Sequence, residues 1–105
     1  MQIQINTDSN IEGDAELVQQ IKALVRNSLD RFSEQVTRVE VQLSDQNSDK
    51  KFGNEDIRCL LEARLARLQP ISVSDSAATL EQAVDKAVEK LTRSLDSTLG
   101  RMGKR

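Results

Sequence analysis

Lys86, Lys90 and Arg93 stand at i, i+4 and i+7, a spacing that puts three cations on one line up a helix. Such a line either holds phosphates or is a solvated face paired with neighbouring acids. The second reading has its own support: Glu89–Arg93 has i, i+4 spacing, and Gln82 and Asp85 flank Lys86 and Lys90. Lys22 and Arg26 repeat the i, i+4 step, and Arg101, Lys104 and Arg105 close the chain. If the segments carrying them lie side by side, these eight residues build one electropositive surface, the kind that binds phosphate backbones in a salt-dependent way. Phe32 and Phe52 are the two aromatic residues of the chain, so stacking platforms for unpaired bases are missing. Recognition of folded RNA by shape and backbone is the nucleic-acid mode left open.

Other chemistry finds little support. The chain has no histidine, so the commonest general base at neutral pH is absent. Cys59 has no histidine to activate it and reads as a small buried hydrophobe. Neither a Gly-rich phosphate loop nor paired Cys/His metal ligands occur. Asp45, Asp49, Glu55 and Asp56 lie in one polar stretch but lack the ordered spacing and central glycine of a calcium loop. The reading is a binding protein rather than an enzyme, with no cofactor, no metal and no small-molecule substrate.

The chain has 105 residues and a formal net charge of −2, so any contact with nucleic acid has to be local rather than global. This length suits one domain with a two-layer core, taken as residues 1–100, followed by a short basic flexible tail over 101–105. One cysteine excludes an internal disulfide and suits a reducing compartment. The start, MQIQIN, has neither a basic n-region nor an apolar h-region. No apolar run approaches the roughly 18 residues that span a bilayer. The cytoplasm is the default location, and no membrane partner is expected.

Taken in order, Gln2 to Asn6 alternates polar and apolar as a short strand. Asp14 is placed to cap a helix. Its apolar stripe Val18, Ile21, Val25, Leu29 and Phe32, widened by Leu17 and Leu24, predicts a helix over 17–32. Thr37 to Leu43 alternates, with Val39, Val41 and Leu43 inward. Ser44 to Asp56 is a long polar loop in which Phe52 is the one residue suited to pin it. Ile57 to Leu65 and Ile71 to Ser74 read as a hairpin turning around Ala66 to Leu68, with Pro70 at a strand start. Asp75 to Ala78 leads into the last helix, Thr79 to Leu99. Its stripe Leu80, Val84, Ala87, Val88, Leu91, Leu95 and Leu99 is core, Thr79 and Gln82 have the form of a capping box, and Gly100 suits a C-cap. The order β-α-β-β-β-α, with a right-handed first crossover, predicts an α/β (α+β) two-layer sandwich, a four-stranded mixed sheet with two helices on one face.

Four features together resemble a known family: this order, the MQIQIN start, the alternating RVEVQL strand and the run TLEQAVDKAVEKLTRSL. The last is similar to the A-[IV]-D…K-L-x-R-x-L pattern of the final helix in the short ribosome hibernation-promoting factor and ribosome-associated inhibitor family, also called sigma-54 modulation proteins. Ala83, Val84 and Asp85 match the first element, and Lys90, Leu91, Arg93 and Leu95 the second. The resemblance implies a cytoplasmic bacterial protein that acts under stress. It would bind the small ribosomal subunit between head and body and silence translation by occluding the mRNA and tRNA channel. Lys90 and Arg93 are then ribosomal-RNA contacts, and Lys22 and Arg26 weaker ones. The chain departs from the family pattern at Thr79 and Glu81, where Asp and Tyr are common, and at Ser28, where Lys is common. The other reading is a protein-interaction module that uses the acidic stripe Glu81, Asp85, Glu89 and Asp96 or the open sheet face with Leu60.

Overall fold

The computed structural model describes residues 1–8, 15–45 and 57–103. Strand β1 (Gln2–Thr7) is followed by helix α1 (Ala15–Ser28), a short 3-10 turn (Asp30–Phe32), the strands β2 (Val36–Asp45), β3 (Ile57–Leu65) and β4 (Ile71–Ala77), and helix α2 (Leu80–Gly103). The strands lie in sequence order, β1 parallel to β2 and the other pairs antiparallel. Ile5, Val41, Leu61 and Val73 stand in one row across the sheet, and Ile3, Val39, Ala63 and Ile71 in the next. Because successive side chains alternate faces, these rows share the face that both helices cover. Their helical partners are Ile21, Val25, Ala83, Val84, Ala87, Val88, Leu91 and Leu95, all buried. The expected two-layer sandwich is thus the observed fold.

Aliphatic side chains supply the core, and Phe32 is its single buried aromatic among the described residues. Cys59 is fully buried on β3, in the next row beyond Leu61 and opposite Leu43. Burial pushes its thiol from the ordinary 9.0 up to about 12, since the thiolate loses its hydration there. Native protein should therefore leave Cys59 unlabelled by an aromatic disulfide reagent at neutral pH, and urea should expose it to full labelling. The folded pKa is the higher one. The unfolded chain therefore gives up this proton first, and stability is lost as pH rises from about 9 towards 12.

The structure corrects the expected boundaries at three places. The first helix stops at Ser28, and Leu29 and Phe32 reach the core from a tighter turn. Their i, i+3 step fits a 3-10 turn as well as an α-helix, which hid the break. The fourth strand continues through Ala77, so Asp75 is a strand residue rather than part of a lead-in. Gly100 is no C-cap: α2 runs on to Gly103, and a Cβ at Gly100 would meet nothing within 4 Å. The start of α2 is as expected, with the Gln82 N–H donating to Thr79 Oγ1 at 3.1 Å. The hairpin turn also falls at Ala66 to Leu68, where Arg67 adopts a φ of 70°. The Asp14 cap and the Phe52 pin lie outside the described residues.

Candidate nucleic-acid interface

The polar surface of α2 is divided by charge. At about 100° per residue, with Leu91 facing the sheet, Lys90, Lys86 and Arg93 fall on one flank and Glu81, Asp85 and Asp96 on the other. Packing gives each flank a different neighbour. The basic flank lies along β4, and the acidic flank borders a groove against α1 whose walls include Leu17, Gln20, Ile21 and Leu24.

On the basic flank, Lys86 Nζ donates to the Ser76 carbonyl at 2.8 Å and Lys90 Nζ to the Ser74 carbonyl at 3.0 Å. The Asp75 carboxylate stands between them, 3.6 Å from Lys86 and 3.5 Å from Lys90. Asp75 belongs to the helix-covered face: it is opposite Cys59, which is opposite Leu43. At the outermost strand it meets lysines at the margin of the layer instead of core. The Ser76 N–H donates to Asp75 Oδ1 at 2.8 Å. That bond first, and then the two lysines, hold the carboxyl below the usual aspartate range. With the folded pKa depressed, its contribution is present above the ordinary value of 3.8 and is lost as pH falls through the folded one. Asp75→Asn should therefore flatten the acid limb of the stability–pH curve below about pH 4 while leaving the alkaline limb unchanged, as measured by urea unfolding at a series of pH values.

Neither lysine is spent by these contacts. Their side chains remain 42% and 55% exposed, and Arg93 is 76% exposed with Glu89 as its partner at 2.8 Å. An exposed i, i+4 pair of this kind contributes only a few tenths of a kcal/mol, so a phosphate competes with it readily. The ammonium groups of Lys86 and Lys90 are thus held against the β4 edge while their side chains stay partly exposed, and Arg93 stands open beside them.

Lys22 and Arg26 do not join this row. On α1, Leu17, Gln20 and Leu24 face α2. Lys22 and Arg26 are about 160–200° round the helix from Leu24, on the flank turned away from α2, in a shallow depression shared with Gln19 and Ala23. Glu81 and Asp85 stand between the two basic groups, so there is no single electropositive surface across both helices. Arg101 lies within α2, whose helix continues past Gly100, and Lys104 and Arg105 fall outside the described residues.

Sequence reasoning missed two features. Asp75 went unnoticed because the stretch Asp75 to Ala78 reads as a lead-in to the last helix. Arg31 was also missed. It makes two parallel bonds to Asp96, at 2.8 and 3.1 Å, and lies 4.4 Å over the Phe32 ring, tying the end of α1 to the middle of α2 across 65 positions. The pair removes Asp96 from the free acidic stripe. The uncovered sheet face carries Arg38, Arg58, Arg64, Glu40 and Glu62 around Leu60. Arg38 bonds Glu40 at 3.1 Å and also donates to Gln2 and Gln4.

Among the described residues no three His, Cys, Asp or Glu side chains gather to hold a metal ion, and no helix is long and apolar enough to cross a membrane. Comparison with curated proteins gives no match. The fold is similar to that of the Thermus thermophilus Protein Y N-terminal domain, with a TM-score of 0.74 and 20% identity over 93% of this chain and 99% of that one. It is also similar to a ribosomal subunit interface protein from Coxiella burnetii, with a TM-score of 0.70 and 14% identity over 95% and 99%. At such identities the likeness speaks for the fold, whereas the family is decided by the sequence itself. Residues 3–102 match the sigma 54 modulation protein / S30EA ribosomal protein family, and the chain belongs to that ribosome-associated family.

Proposed function

We propose that this protein acts in the cytoplasm by binding ribosomal RNA of the small subunit and silencing translation, with its body occluding the mRNA and tRNA channel. Family membership supplies the ribosome as partner. The observation that carries the reading to particular residues is the row Lys86, Lys90 and Arg93 along the β4 margin, with the two lysines held by the strand edge and all three side chains still exposed in part. Anchoring removes part of the side-chain entropy that binding otherwise costs. It also spaces the charges along a rigid helix, as a phosphate backbone requires. Lys22, Arg26, Arg101, Lys104 and Arg105 supply additional contacts. Nothing in this mechanism calls for a reaction: the bound body is the inhibitor.

Cosedimentation with purified small subunits tests it. Three phosphate contacts lower affinity roughly 30-fold between about 50 and about 200 mM monovalent salt. The Lys86→Ala/Lys90→Ala/Arg93→Ala variant should lose both the binding and most of this salt dependence. Arg93→Ala alone touches only Glu89, so it should weaken binding several-fold with an unchanged far-UV circular dichroism spectrum. Undiminished binding by the triple variant would rule the α2 row out.

A further inference from the structure

The two edges of the sheet are finished differently. On β4 the outward carbonyls of Ser74 and Ser76 are taken by Lys90 and Lys86, and the outward N–H of Ser76 by Asp75. On β1 the Asp8 N–H donates to the Leu43 carbonyl at 3.0 Å, with Thr7 opposite Leu43 in the parallel register. That phase turns the N–H and C=O groups of Gln2, Gln4 and Asn6 towards β2 and those of Ile3, Ile5 and Thr7 outward. These outward groups have no hydrogen-bond partner among the described residues. A free edge of this kind is a template for an added strand.

Its surroundings select the strand. Helix α1 packs on β1, and its flank away from α2 carries Lys22 and Arg26 above this edge. Neither makes an ion pair among the described residues. On the uncovered face the margin is lined by the neutral amides of Gln2, Gln4 and Asn6. We propose that the β1 edge binds an extended acidic segment of a partner protein as a fifth strand, its backbone on Ile3, Ile5 and Thr7 and its carboxylates under Lys22 and Arg26. About five residues at roughly 3.3 Å each cover that length. A second copy fits poorly, because two-fold pairing through β1 sets Lys22 and Arg26 against the same cations of its mate. RNA fits poorly too, since it offers no N–H and C=O groups alternating at strand spacing. The site lies at the opposite edge of the sheet from the α2 row and shares with the proposed RNA contacts only Lys22 and Arg26.

The test uses the full chain and a blocked peptide alternating threonine and glutamate, with the threonine–lysine peptide as its counterpart. Saturating acidic peptide should slow amide hydrogen exchange at Ile3, Ile5 and Thr7 at least tenfold and leave Gln4 and Asn6, already bonded to β2, unchanged. Lys22→Glu/Arg26→Glu reverses the charge of half-buried Lys22 and exposed Arg26. It should weaken the acidic peptide at least tenfold and admit the lysine peptide instead. Thr7→Pro removes one outward N–H without removing a buried side chain and should weaken both, with the fold checked by circular dichroism. The proposal fails if exchange at the three amides is unaffected, or if the two peptides bind alike. It also fails if the same amides are protected by rising protein concentration alone, or only by an RNA oligonucleotide.

Discussion

Leu91→Ala should lower the stability of this protein by about 3 kcal/mol, within the 2–5 kcal/mol that buried leucine truncations cost. Leu91 is fully buried at the centre of the α2 stripe, where the helix packs on β3 and β4. The core it belongs to is almost wholly aliphatic and joins the helix layer to the sheet. The site therefore collapses little after truncation, and the cavity cost is added to the lost transfer energy. Set against the 5–15 kcal/mol typical of small domains, the loss is large enough to shift the whole urea transition. Far-UV circular dichroism is the natural probe, since the chain has no Trp or Tyr. Leu99→Ala, at a half-buried position near the end of the same stripe, should cost about 1 kcal/mol, in proportion to the area it covers. Equal losses at the two sites would contradict the packing described here.

Lys86→Met/Lys90→Met should make the protein associate through β4 more readily than the parent. Methionine keeps the apolar stem over the strand and removes only the ammonium groups. The Ser74 and Ser76 carbonyls then lose their donors, and Asp75 loses both of its cationic partners. Unguarded edge strands pair with each other, and lysines placed along an edge are a common protection. Sedimentation velocity at rising concentration should show stronger association of the double variant than of the parent. Adding Asp75→Asn should increase it, by removing the last charge that keeps two such edges apart. The same double variant should also bind small subunits weakly. Arg93→Ala separates the two consequences: it weakens RNA binding and leaves the edge intact. An effect of the lysine change on association but not on RNA would assign the lysines to the edge alone.

The fold was largely legible from local patterning. Strand alternation at Val39, Val41 and Leu43 and the helical stripe from Leu80 to Leu99 each have one reading, because period 2 and period 3.6 place side chains on different faces. The order of elements then left one economical layering. Boundaries were less legible, for a stated reason in each case. Ser28 to Phe32 keeps a spacing shared by two kinds of helix. Asp75 interrupts the apolar alternation of β4 at a margin where no core lies above it. Gly100 stops no helix, because nothing forces a left-handed residue there.

The charges show the clearest division between sequence and structure. Helical phase alone orders the acids and bases of α2 on separate flanks, and residues 3–102 taken together carry the family. The sequence did not determine what each flank would face. That depended on the side of α2 to which β4 and α1 pack, a choice made by the summed burial of residues far apart in the chain. Packing turned two expected RNA contacts, Lys86 and Lys90, into guards of a sheet edge as well. It moved Lys22 and Arg26 away from them and joined Arg31 to Asp96. Interactions between exposed charges are largely screened beyond about 10 Å at ordinary ionic strength, so which charges act together is set by tertiary distance and not by spacing along the chain.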